Sequence, residues 1–153
     1  LRFIFVVLWA LSLCLPLASA EEGGYVDEAG NPAVAPAAKT AFTLENPGPW
    51  KKEAAFHDPV IKSRRLVQGL ETTRIITLTV PHPLPKTQTE LSKFPIKAIY
   101  LVDKDGIVVG YHSFSTDDSE VSFETKINGV INYLEVYVEC LEHGIWLKKV
   151  RLT

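Results

Sequence analysis

The 153-residue chain contains no methionine and only two cysteines, Cys14 and Cys140. No thioether is on hand as a metal ligand, and a framework of several disulfides is excluded. A charge excess of one sign is also missing. The 18 acidic side chains nearly balance the 16 basic ones, so no cluster of cations is set to neutralise phosphates, and nucleic acid is not an expected partner. There is no internal repeat and no low-complexity tract, and no segment sustains the apolar spacing of an amphipathic helix.

What is present begins with LRFIFVVLWALSLCLPLASA, residues 1–20. A single cation, Arg2, precedes an apolar run from Phe3 to Leu17, and Ala18-Ser19-Ala20 supplies small residues ahead of Glu21 and Glu22. The run is shorter than the ~20 residues that span a bilayer, and Pro16 interrupts its end. It reads as a secretory signal peptide cut after Ala20, which predicts a periplasmic or otherwise extracytoplasmic protein. Leu13 stands where a lipoprotein site before Cys14 would need a small residue. Cleavage leaves Cys140 as the sole thiol of an exported chain. Such a thiol is buried and inert, bridged to another molecule, or held by a metal.

Residues 21–46 are rich in Ala, Gly and Pro and read as a flexible lead-in to a domain spanning 47–153. That domain alternates like β structure. In ETTRIITLTV (71–80), Ile76, Leu78 and Val80 share one face; in NYLEVYVEC (132–140), Leu134, Val136 and Val138 share another. Tyr133, Glu135, Tyr137 and Glu139 fall opposite, on what reads as a half-exposed sheet surface. Further runs occupy 96–102, 107–115, 120–126 and 145–152, with turns at Lys104-Asp105-Gly106 and Ile127-Asn128-Gly129. About seven short strands without a helix predict an all-β, antiparallel, immunoglobulin-like sandwich. PHPLPKTQTELSKFP (81–95) is too rich in proline for a strand and reads as a long loop, with at most one helical turn near Thr89 to Lys93.

Four histidines, His57, His82, His112 and His143, join Cys140 as candidate ligands. In ECLEHGIW (139–146), Cys140 ends a strand and His143 sits on the turn after it, so both can face one ion. Thiolate and imidazole suit zinc, copper or iron, and both bind in their deprotonated forms. By itself the pair fits equally a buried cysteine beside a solvated turn histidine. A copper electron carrier would pair such a loop with a weak axial methionine, which this chain lacks.

The pattern C-x-x-H-G-(L/I)-W, together with HDPVI (57–61), PHP (81–83) and the opening Gly48-Pro49-Trp50-Lys51, resembles the superoxide reductases, the neelaredoxin or desulfoferrodoxin iron domain, over about residues 48–152. The resemblance implies an immunoglobulin-like sandwich and a mononuclear non-haem iron held by His57, His82, Cys140 and His143. It implies one-electron reduction of superoxide to hydrogen peroxide, with two protons taken up and ferric iron left for an external reductant. The family's usual donor is a cytoplasmic rubredoxin, so an exported relative needs another, such as a periplasmic cytochrome; an oligomer is compatible with the pattern. Two features depart from the family. The second loop histidine is missing, leaving Glu90 as the nearest donor in that loop and His112 as the other candidate for the fourth equatorial place. The lysine and glutamate that usually precede the first ligand are replaced by Phe56 and Ala55. Three imidazoles and one thiolate would equally suit a closed tetrahedral zinc site without turnover.

Overall fold

The computed structural model describes residues 24–84 and 95–153. The leader expected over residues 1–20 lies outside them, as does Glu90 in the 81–95 loop. Among the described residues, no helix is long and apolar enough to cross a membrane.

Among the described residues, seven antiparallel strands form two sheets: β1 (Val60–Gln68), β2 (Glu71–Thr79), β3 (Ile96–Val102), β4 (Val108–Ser113), β5 (Ser122–Asn128), β6 (Tyr133–Cys140) and β7 (Gly144–Arg151). One sheet runs β1-β2-β5 and the other β4-β3-β6-β7. The chain is therefore the all-β sandwich that its alternation predicts. Ile76 and Leu78 of β2 meet Ile99 and Leu101 of β3 and Leu134, Val136 and Val138 of β6, all fully buried. Each such side chain contributes about 1.5–3 kcal/mol by leaving water.

Irregularities in the ladder set which residues point inward. A register shift between Ile96 and Ala98 lets Ile96 and Ile99, three positions apart, both reach the core. Without it, strict alternation would send one of them to the other face. Gly110 lies opposite Leu101, whose Cδ1 would stand 2.9 Å from any added Cβ, so the β4 backbone passes close over that side chain. β1 is the strand the sequence hides. Its residues VIKSRRLVQ are exposed or half-exposed throughout, because it forms the outer edge of the three-stranded sheet, so no buried face imposes a period.

The segment read as a flexible lead-in lies against the domain from residue 24 onward. Tyr25 Oη comes within 3.4 Å of Thr125 Oγ1 on β5, and Ala33, Ala35 and Ala41 cover Ala98, Tyr100, Val102, Tyr137 and Leu147 on the outer face of the four-stranded sheet. Small residues allow this close approach. Tyr137, expected on a half-exposed surface, is consequently only 3% exposed.

Candidate metal centre

The site is built at one end of the sandwich from three separate segments. β6 ends at Cys140, a three-residue turn follows, and Gly144 opens β7 paired with Cys140. Gly144 adopts φ +77°, the left-handed conformation that closes this type of hairpin loop. Alternation along β6 carries Cys140 inward after Val136 and Val138, while His143 is brought back over it. His143 Nδ1 lies 3.4 Å from Cys140 Sγ. A hydrogen bond from Leu141 N to Pro95 O, 2.9 Å, ties the same turn to the residue just before β3.

His57 ends a short 3-10 helix, Ala54–His57, and is 1% exposed. Its Nδ1–H donates to Glu53 O at 2.9 Å, which fixes the tautomer and directs Nε2 away from that carbonyl. Among the described residues, Nε2 has no hydrogen-bond partner although it is buried. Trp146 on β7 stacks on the ring at 4.6 Å and 6°. Lys148 holds the following residues to β7 by an ion pair with Asp58 at 2.8 Å and a hydrogen bond to Pro59 O at 2.9 Å. His82 follows β2. Its Nδ1–H donates to Pro83 O at 2.9 Å, and its Nε2 lies 3.8 Å from Cys140 Sγ.

One donor atom from each of His57, His82, Cys140 and His143 falls within 4.8 Å of the other three. A tetrahedral ion with sulfur at about 2.3 Å and nitrogen at about 2.0 Å separates the two donors by about 3.5 Å. The observed sulfur–nitrogen separations bracket that value. The orphaned Nε2 of His57 points to the same conclusion, since leaving a buried acceptor unpaired costs about 1–3 kcal/mol and a metal would satisfy it. The four side chains fit a transition-metal ion.

Burial sets the charge states. Desolvation, opposed by the Glu53 carbonyl and reinforced by His82 and His143, lowers the His57 pKa to about 4. Desolvation likewise lowers His82 and raises the Cys140 thiol. The His57 and His82 imidazoles are therefore neutral and ready to donate a lone pair, whereas the thiol needs a cation to be stabilised as thiolate.

Of the candidates, His112 stands apart. It is not in the cluster; it stacks on Phe123 at 5.4 Å and meets Phe114 edge-on at 4.6 Å, filling space between β4 and β5. Four supporting residues escaped the sequence reading in this role. Trp146 and Lys148 are described above; Phe42 presses on Trp146, with centroids 5.6 Å apart. Trp50 meets His143 edge-on at 4.8 Å. Of these only Trp50 and Trp146 carried any signal, because they belong to the quoted motifs.

Comparison with protein-family models and with curated proteins gives no match. Among solved structures, the hypothetical protein PH1083 from Pyrococcus horikoshii OT3 is 23% identical, with 75% of this chain and 97% of that one covered at a TM-score of 0.50. A superoxide reductase in the oxidised state is 20% identical, covering 63% of this chain and 88% of the other at a TM-score of 0.40. The first likeness is one of fold. The second is too distant to carry an inference about the site.

Proposed function

We propose that the chain is an exported mononuclear iron protein of the superoxide reductase type. The observation that carries the reading is the convergence of three imidazoles and one thiol on a point where the buried His57 Nε2 has no other partner among the described residues. The resemblance of C-x-x-H-G-(L/I)-W to the superoxide reductase pattern favours iron over other ions that such donors accept. Iron held by His57, His82, His143 and Cys140 would supply one electron to superoxide. With two protons from solvent the product would be hydrogen peroxide, and turnover would need an external one-electron donor outside the cytoplasm, such as a cytochrome.

The chain's own residues have distinct parts in this. The Glu53 and Pro83 carbonyls hold two imidazoles in the donor tautomer. Trp146 and Trp50 pack against His57 and His143 and limit water on those sides. Lys51 and Lys52 are exposed in the sequence just before the 3-10 helix that carries His57, where their charge would draw in a small anion. Residues 47–153 are the working domain in this reading, behind a leader of residues 1–20.

A second reading has a specific observation in its favour. Among the described residues the cluster has four donors, and its sulfur–nitrogen separations match a closed tetrahedron, which suits zinc without turnover. Metal analysis of protein purified without added metal, with a visible spectrum after oxidation, separates the two. Iron with a thiolate-to-ferric absorption band supports the oxidoreductase; a colourless protein carrying one zinc refutes it.

A further inference from the structure

Phe42 joins the N-terminal segment to the metal centre. Its backbone forms a short parallel bridge with Trp146: Phe42 N donates to Ile145 O at 2.7 Å, and Leu147 N donates to Phe42 O at 2.8 Å. Its half-buried ring is closed in by two glycines. A Cβ on Gly48 would stand 2.6 Å from Phe42 Cε1, and one on Gly144 would stand 3.2 Å from Cε2. Gly144 directly follows His143, so the ring presses on the turn that carries two ligands. Through Trp146 the contact continues to a third, because Trp146 stacks on His57.

The chain then doubles back. Thr43 N donates to Asn46 O at 3.2 Å and Asn46 N to Thr43 Oγ1 at 3.0 Å. This turn brings Gly48 onto the ring and delivers Trp50 to the edge of His143. Among the residues that neighbour the cluster, Phe42 is thus a wedge between the lead-in and the ligand hairpin.

We propose that Phe42 is a positioning residue for the metal centre, and that docking of the N-terminal segment and metal occupancy are coupled through it. The inference rests on the reading of the cluster as a metal site. With the ring seated, the Cys140–His143 turn and the His57–Trp146 stack are held where their donors converge; with the segment lifted, the turn and the stack lose the wall behind them. Coupling of this kind is reciprocal: whatever factor the seated ring adds to metal affinity, the bound metal adds to seating of the segment. Residues that orient metal ligands without touching the ion typically contribute about 10–100-fold in affinity, and a single apolar wedge belongs at the lower end, about tenfold.

Both directions are measurable in the full chain. Co2+ alone serves as the probe, read through its thiolate absorption band. Phe42→Ala is expected to weaken Co2+ binding about tenfold, with Phe42→Leu recovering part of the loss. Gly48→Ala, which drives a methyl into the ring, is expected to act in the same direction. In the unmodified protein, Co2+ is expected to slow tryptic cleavage after Lys39, an exposed residue of the segment, by a similar factor, and Phe42→Ala is expected to abolish that protection. A purely structural role would lower thermal stability without making cleavage at Lys39 respond to metal.

The coupling is overturned if folded Phe42→Ala binds Co2+ as tightly as the unmodified chain, or if saturating Co2+ leaves cleavage after Lys39 unchanged. Should Phe42→Ala fail to fold, the cleavage measurement on the unmodified protein decides alone. A protein that takes up no Co2+ at all removes the metal-site reading, and the coupling with it. Uptake with no effect of the substitutions removes the coupling only.

Discussion

Replacing Gly144 with alanine separates backbone strain from damage to the metal centre. Gly144 sits at φ +77°, and its added methyl would meet Phe42 Cε2 at 3.2 Å. The left-handed backbone costs a non-glycine residue about 1–2 kcal/mol. The contact adds a push of a few tenths of an ångström on a ring already held by Gly48 on the other side. Gly129 provides the control: it has φ +95° with nothing within 4 Å of its position, and it lies on the β5–β6 turn rather than on the β6–β7 turn that carries His143. Both Gly144→Ala and Gly129→Ala are expected to lower the melting temperature of the metal-free protein, by about 3–6 °C for each kcal/mol in a domain of this size. Only Gly144→Ala is expected to weaken metal binding, by about tenfold, since it displaces the turn between Cys140 and His143. Thermal unfolding without metal and a Co2+ titration on each variant provide the comparison. Equal metal affinity in the two variants, at equal loss of stability, would refute the claim that this hairpin sets the ligand geometry.

Other perturbations follow from the same contacts. Cys140→Ser removes the sulfur and is expected to abolish the thiolate absorption band and most of the bound metal, read by spectroscopy and metal analysis; unchanged metal content would exclude the thiol as an essential ligand. Lys148→Ala breaks the pair with Asp58 and the bond to Pro59 O. Because both side chains are about a third exposed, solvent screening limits the expected loss to about 0.5–1 kcal/mol. The same variant is expected to raise the metal dissociation rate severalfold, since His57 directly precedes the released residues; an unaltered rate would mean that the clamp is not needed to seat His57.

Much of the fold was legible because one face of most strands is buried. The alternation of Leu134, Val136 and Val138 announced β6 and its orientation, and Ile76 and Leu78 did the same for β2. β1 was not legible, since only Ile61 and Leu66 of its nine residues are even half-buried, too few to impose an alternation. At the site, Cys140 and His143 could be paired from sequence because a hairpin turn joins them locally. Their meeting with His57 and His82 depends on packing between segments some 60 to 80 positions away, which only the family resemblance suggested. His112 was a sequence candidate because histidine can ligate; Phe114 and Phe123 instead enclose its ring. Phe42 and Lys148 were invisible because nothing in a phenylalanine within an alanine-rich stretch, or in a lysine beside another, marks a contact across the fold.

X-ray absorption at the edge of the metal retained by the purified protein tests the central claim most directly. The account expects one sulfur donor at about 2.3 Å together with several nitrogen donors, and loss of the sulfur signal in Cys140→Ser. A bound metal whose shell contains only nitrogen and oxygen in the unmodified protein would contradict it.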